Sequence, residues 1–319
     1  MNKKTDSDKK LVSLVVPFYN ESEGIAQFYD AIIEVFDELP DLEFEVICID
    51  DGSSDDTLSK LIDLVQRDAR FSVIELSRNF GKEAALTAGI DAARGDAVIP
   101  FDADLQDPPE MIPRLVEHWI KGAEVVLARR ADRSSDAFLK QKTAAFFYKI
   151  HNNLSSIQIP DNVGDFRLMD RVAVNALKQL PERQRFMKGL IAWVGYKTVT
   201  VDYVRNARVA GKTKFSGWKL WNFAVEGITS FSTVPLRIWT YIGGVGALVT
   251  IIYGLIIILR TLILGIDLPG YASLLVSILF FGSLQLIGIG VLGEYMGRIY
   301  MENKQRPIYL VRAYHESEN

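Results

Sequence analysis

Apolar residues fall in short runs along the first half of the chain, and a polar cluster follows each run. Leu11, Val12, Leu14, Val15 and Val16 make the first run; Phe44, Val46, Ile47, Cys48 and Ile49 make the second. Phe71, Val73, Ile74 and Leu76 form the third, residues 97–101 the fourth and residues 125–128 the fifth. Apolar runs this short, bounded by turn-forming residues, are the pattern of buried strands. Between them, residues 22–39, 57–68 and 83–93 carry apolar side chains at helical spacing. Strand and helix in alternation predict a doubly wound, mostly parallel α/β sheet over residues 11–215. Its ligands would bind beyond the carboxyl ends of the strands.

Past residue 237 the pattern changes. Residues 238–259 and 268–293 carry no charge, and each run exceeds the roughly 20 apolar residues that cross a bilayer core as helix. Gly265 to Gly270 has room only for a tight turn, so a transmembrane hairpin is expected, with spans at 238–262 and 270–294. Lys212, Lys214, Lys219 and Arg237 precede the first span, and Arg298, Lys304, Arg306 and Arg312 follow the second. The turn has no Lys or Arg, and nearby Arg260 can snorkel outward. Because such residues concentrate on the cytoplasmic side, the α/β domain and both termini are expected there, at the inner membrane. Residues 1–10 read as a polar tail, 216–236 as a juxtamembrane helix lying in the interface, and 298–319 as a cytoplasmic tail.

Composition removes several classes of function. A net charge of −4 with 24% charged residues gives no basic surface for nucleic acid. The single cysteine, Cys48, excludes an internal disulfide and a multi-cysteine zinc site, and its apolar run makes it a buried thiol. Gly243 with Ala247 and Gly293 with Gly297 are small-residue pairs that suit close helix contact, in the hairpin itself or in a homo-oligomer.

Candidate chemistry gathers at the strand ends. Asp102, Asp104 and Gln106 follow the fourth run, and Pro108 and Pro109 stop it. In an extended chain, residues two apart share a side, so these three would face one cleft. Oxygen donors alone suit a hard divalent cation; the alternative is an acidic turn capping the next helix. The other polar clusters, at residues 17–21, 50–57 and 77–82, also end strands, which favours a site. Arg129 and Arg130 end the fifth run, which favours Arg129 at the phosphates over a solvated edge. Residues 137–152 set Phe138, Phe146 and Phe147 beside Lys140, Lys142 and Lys149, a helix for the core or for the lipid surface. Arg208, Lys212 and Lys214 form a basic loop that is either juxtamembrane charge or part of the site.

Three motifs carry a family resemblance. Val16-Pro17-Phe18-Tyr19-Asn20-Glu21, Ile49-Asp50-Asp51-Gly52-Ser53-Ser54-Asp55 and Asp102-Ala103-Asp104-Leu105-Gln106 resemble, in order and spacing, the family 2 inverting glycosyltransferases of GT-A fold. The nearest likeness is to the dolichol-phosphate-mannose-synthase-like branch, and the hairpin is similar to that of bacterial polyisoprenyl-phosphate glucosyltransferases of the O-antigen-modifying type. The resemblance implies that Pro17, Tyr19 and Glu21 line the base and ribose pocket, with Asp50 or Asp51 facing the base. It implies that Asp102, Asp104 and Gln106 hold Mg²⁺ or Mn²⁺ against the donor diphosphate. Arg208 would close on the donor, and Lys212, Lys214 and Arg130 would meet the acceptor phosphate.

Asp165 stands where the family has an acidic residue near the acceptor, a candidate general base. A lipid phosphate has its second pKa near 6, so Asp165 would position more than deprotonate. Residues 182–186 lack the Gln-x-x-Arg-Trp of related processive synthases, which argues against polymerisation. The expected reaction moves glucose from UDP-glucose to a membrane polyprenyl phosphate. GDP-mannose or a UDP-amino sugar is the alternative donor, and a non-catalytic sugar-nucleotide sensor is the alternative class.

Overall fold

A computed structural model describes residues 9–131, 163–183, 185, 187–204, 234–264 and 270–317. Strands β1 (Lys10–Phe18), β2 (Leu42–Asp50), β3 (Phe71–Leu76) and β4 (Ala97–Pro100) alternate with helices α1 (Ile25–Asp37), α2 (Thr57–Arg67) and α3 (Lys82–Ala92). Then follow α4 (Ile112–Ile120), β5 (Val125–Arg130), β6 (Val163–Asp170), α5 (Arg171–Lys178), α6 (Met187–Val194) and β7 (Thr198–Tyr203). Two long helices, α7 (Val234–Leu264) and α8 (Tyr271–Asn303), precede the last strand, β8 (Val311–His315).

The eight strands among the described residues form one sheet, in the order β7-β5-β6-β4-β1-β2-β3-β8. The central strands are apolar on both sides because both faces are covered. Val12, Leu14 and Val16 pack with α1, α2 and α4 on one face; Val15, Ile47 and Ile49 pack with α3 on the other. Rings gather beneath the carboxyl ends of the strands. Phe18 meets Phe28 edge-on at 5.5 Å, and Phe101 meets Phe166 at 5.4 Å. Each ring buried there contributes about 1.5–3 kcal/mol, and together they form a firm floor for the loops above. On the opposite face Gly89 seats α3: a side chain there would stand 2.3 Å from Val15 and 2.6 Å from Ile49.

The sheet is mixed, where mostly parallel pairing was expected. The row β4-β1-β2-β3 is parallel, as is β5 with β7. β6 runs antiparallel to both β4 and β5, and β8 antiparallel to β3. The reversal of β6 matters for chemistry. Its first residues lie beside the carboxyl end of β4, so Asp165 arrives at the edge where Asp102 stands.

The C-terminal segment returns to the sheet through β8, where Arg312 meets Glu75 at 3.0 Å. Of the described residues, only Ser277–Asn303 has the length and apolarity of a membrane span. The apolar stretch found on α7, Tyr241–Ile256, is shorter, so among the described residues one segment of the expected pair meets that test. A methyl group at Gly243, Gly293 or Gly297 would meet nothing within 4 Å among the described residues, whereas one at Gly288 would stand 3.4 Å from the Trp239 ring. The amphipathic stretch 137–152, the basic loop 208–214, most of the interfacial stretch 216–236 and the hairpin turn at 265–269 lie outside the described residues.

Candidate active site

Lys82 opens α3 and lies between two carboxylates. Its Nζ is 2.7 Å from Asp102 Oδ1, 2.9 Å from Asp102 Oδ2 and 2.9 Å from Asp165 Oδ2. Burial alone would raise the Asp165 carboxyl, but Lys82, Lys188 and Arg167 outweigh it and hold Asp165 well below the usual carboxylate range. Burial likewise works against the Lys82 ammonium, yet Asp165 and Asp102 keep it protonated above the usual lysine range. At Asp102 burial wins over the ammonium, and its carboxyl is raised. Glu83 is next on α3. Burial and the Asp165 charge push its carboxyl up to about 7, against a 3.3 Å hydrogen bond donated by the Met187 N–H. Sequence reasoning passed over Lys82 and Glu83, since their partners come from distant strands. One signal was present: a lysine in the first turn of a helix, where the macrodipole favours acids.

The loops after β1 and β2 are laced into one wall. Asn20 N–H donates to Ser53 Oγ at 3.0 Å, Ser54 N–H to Asn20 Oδ1 at 2.8 Å, and Glu21 N–H to Thr57 Oγ1 at 3.0 Å. Pro17, Tyr19, Glu21 and Asp50 are thereby grouped, with the Tyr19 ring exposed. Asp50 is buried; its Oδ2 accepts the Ser53 N–H at 3.2 Å, and its Oδ1 has no hydrogen-bond partner among the described residues.

Asp51 has a different task from the one expected beside a base. Its two oxygens accept the N–H groups of Phe80 at 2.7 Å and Gly81 at 2.9 Å. Burial pushes its carboxyl up, and those two donors pull it back only in part. Gly52 makes the same loop fit, for with φ at 68° it leaves space where a side chain would lie 2.6 Å from the Arg78–Asn79 peptide. Asp50 thus keeps one oxygen unused, while Asp51 and Gly52 shape the loop that delivers Lys82.

The stretch after β4 is a turn instead of the expected extended row. The strand stops at Pro100, and Leu105 takes a φ of 52°. Asp104 Oδ1 accepts the Gln106 N–H at 3.2 Å. Asp102, Asp104 and Gln106 remain half-buried on this one turn. Asp107 is buried and hydrogen-bonded by the Tyr203 hydroxyl, which ties the turn to β7. Among the described residues no three His, Cys, Asp or Glu side chains converge as a metal site. Two carboxylates and a carboxamide nonetheless fit Mg²⁺ or Mn²⁺, which take oxygen donors and complete their shell from substrate phosphates. Asp102 already holds a cationic group with both oxygens.

The arginine pair divides differently from expectation. Arg129 forks onto Asp202 of neighbouring β7 at 2.6 and 3.0 Å, on an exposed edge, so its guanidinium is committed away from the carboxylate cluster. Arg130 points to the other face, as successive strand residues do. Its Nε lies 3.3 Å from the Tyr203 hydroxyl, and Asp107 and Asp102 both bear on its charge. Arg208, Lys212 and Lys214 lie outside the described residues.

Residues 13–178 match the family described as glycosyl transferase family 2. Over 301 residues the chain is 58% identical to the prophage bactoprenol glucosyl transferase homolog of Escherichia coli (strain K12), covering 94% of this chain and 98% of that one. It is 57% identical over 302 residues to the bactoprenol glucosyl transferase of Shigella phage SfX, covering 95% and 99%. Among solved structures it resembles glucosyl-3-phosphoglycerate synthase from Mycobacterium tuberculosis in complex with Mn²⁺, UDP and phosphoglyceric acid, with a TM-score of 0.49, 20% identity and coverage of 69% of this chain and 76% of that one. The carboxylate-bearing strand ends and these near full-length likenesses lead to one conclusion: the chain belongs to glycosyl transferase family 2 and is a glycosyltransferase.

Proposed function

We propose that this glycosyltransferase moves glucose from UDP-glucose to a membrane polyprenyl phosphate, with inversion at the anomeric carbon. The observation that carries the reading is the meeting of Asp102, Lys82 and Asp165 at the carboxyl edge of the sheet. The relatives named bactoprenol glucosyl transferases support the sugar and the acceptor.

On the donor side, the Asp50 oxygen without a partner suits an N–H of the uracil ring, and Pro17, Tyr19 and Glu21 stand beside it. Asp102, Asp104 and Gln106 would hold Mg²⁺ or Mn²⁺, which when bound supplies positive charge at the departing diphosphate. In the transfer, an acceptor phosphate oxygen forms a bond to the anomeric carbon as the bond to the outer phosphate of UDP breaks. UDP leaves with the electron pair. The acceptor is largely ionised at neutral pH, so no proton need be taken from it. Asp165, held ionised by its cationic neighbours, is a poor base and serves to fix the Lys82 ammonium. Arg130, with Lys212, Lys214 and Arg208 from the stretch between β7 and α7, is assigned to the phosphates.

Both long helices are read as crossing the membrane. They have 31 and 33 residues, about 45–50 Å at 1.5 Å per residue, against a core of about 30 Å. Leu248, Ile251, Leu255, Leu286 and Ile289 are exposed on them, as lipid-facing side chains are. The Lys and Arg residues flanking the pair support a cytoplasmic catalytic domain.

Membranes carrying the protein, given labelled nucleotide sugars and polyprenyl phosphate, should yield a lipid-extractable product from UDP-glucose. NMR of that product should show a β-linked sugar from the α-linked donor. An α-linked product, or efficient transfer to the free polyprenol, would overturn the mechanism, and preference for another nucleotide sugar would overturn the donor.

A further inference from the structure

Two carboxylates reach one edge of the sheet from strands of opposite direction, and one ammonium fills the space between them. Lys82 Nζ contacts both oxygens of Asp102, at 2.7 and 2.9 Å, and Oδ2 of Asp165 at 2.9 Å. The placement is built from several sides. Gly52 lets the backbone at residues 78–79 come close, Asp51 takes the N–H groups of Phe80 and Gly81, and Gly89 presses α3 onto Val15 and Ile49. All three features act on the stretch or the helix that carries Lys82. A lysine in the first helical turn also opposes the macrodipole, and a local rule broken at a site marks function.

We propose that Lys82 is the resident counter-cation of this site: it holds Asp102 and Asp165 together before substrates arrive, and it yields Asp102 when a divalent cation is held there, keeping Asp165. The ammonium already contacts both Asp102 oxygens, so a second positive charge brought to Asp102 would be repelled by it and would compete with it for the same lone pairs. The Lys82 side chain is suited to the exchange, since its charge rides on a flexible unbranched stem that is 43% exposed. After the exchange its full charge falls to Asp165 and to any phosphate oxyanion brought beside it. Donor loading would thus prepare the acceptor side through one side chain.

The inference rests on the metal-assisted reading above, but the two fail separately. Mn²⁺ binding to the full chain in detergent with UDP can be followed by calorimetry without turnover. Lys82→Gln should bind Mn²⁺ about fivefold more tightly, the worth of one half-exposed ion pair, while transfer at saturating Mn²⁺ falls. Lys82→Met gives the same readout should the Gln variant fail to fold, and Lys82→Arg, which keeps the cation, should bind no more tightly than wild type. Lys188→Gln removes a cation that bears on Asp165 without pairing to Asp102, and should stay within about twofold of wild type. Unchanged or weaker Mn²⁺ affinity in the neutral Lys82 variants overturns the inference. Equal tightening in Lys188→Gln does so too, by reducing the effect to a general field. No Mn²⁺ binding by wild type refutes the metal-assisted reading itself.

Discussion

Arg183 donates its backbone N–H to Glu302 Oε1 at 2.9 Å, across 119 residues of chain. Its guanidinium reaches the Arg306 carbonyl at 2.6 Å. Just beyond, Met187 at the start of α6 donates to Glu83, the neighbour of Lys82. The end of the long helix α8 is therefore a few contacts from the carboxylate cluster. Glu302→Ala should cost about 1–2 kcal/mol, lowering Tm in detergent by about 2–5 °C. Glu302→Gln still accepts the N–H and should recover most of this. An alanine variant melting with the wild type would show that the contact contributes nothing.

Asp104 is half-exposed on its turn, so its loss should spare the fold. Asp104→Ala should lower transfer by at least about 100-fold, the scale for removing one element of charge stabilisation at a leaving group. EDTA should do the same to the wild type, reversibly with Mg²⁺ or Mn²⁺. Full transfer in chelator would contradict the assignment.

Glu83 gives a pH signature. Its carboxyl is raised to about 7 in the fold, against about 4.3 in an unfolded chain. Between those values the native state binds the extra proton, so stability falls as pH rises through the window and levels off above it. Glu83→Gln removes that dependence. Its advantage in Tm over wild type should therefore be larger at pH 8 than at pH 5. An advantage that shrinks with rising pH would show the sign to be wrong.

Orientation can be tested with single cysteines, because the native Cys48 is buried and should stay silent. In intact cells an impermeant thiol reagent should label a cysteine placed at Asp267 and spare one at Lys304. The opposite pattern would put the catalytic domain on the side away from cytoplasmic sugar nucleotides.

The first four strands and three helices were legible because their apolar runs are continuous and their turns sharp; β3 is Phe71–Leu76 in sequence pattern and in structure alike. β6 was not legible. It buries Arg167 among its apolar residues, and a charge inside a run breaks the pattern that marks a strand. β8 is short, alternates half-buried with exposed residues and follows a membrane-like helix, so it read as tail. Near the carboxylate cluster, Asp102, Asp104 and Gln106 were grouped from motif and strand end, and Asp165 was named only through the family resemblance. Lys82 and the swap between Arg129 and Arg130 could not be named, since side-chain partners depend on pairings such as β5 with β7 and β6 with β4. The same holds for Asp50 and Asp51: adjacent residues point opposite ways, and only the loop at residues 78–81 decides which of the two is taken up by backbone N–H groups.

The antiparallel pairing of β8 with β3 also sets an order of assembly. The His315 ring lies 3.5 Å from Glu75, its partner across 240 residues. During synthesis β3 emerges early and its outer edge waits uncovered while both long helices are made. Only after α8 has left the ribosome does the strand that covers that edge exist. Until β8 pairs, the chain keeps an open, pairing-competent sheet edge, the kind of surface that invites aggregation. Completion of the catalytic sheet is in this way made a late event of synthesis, after both long helices have been made.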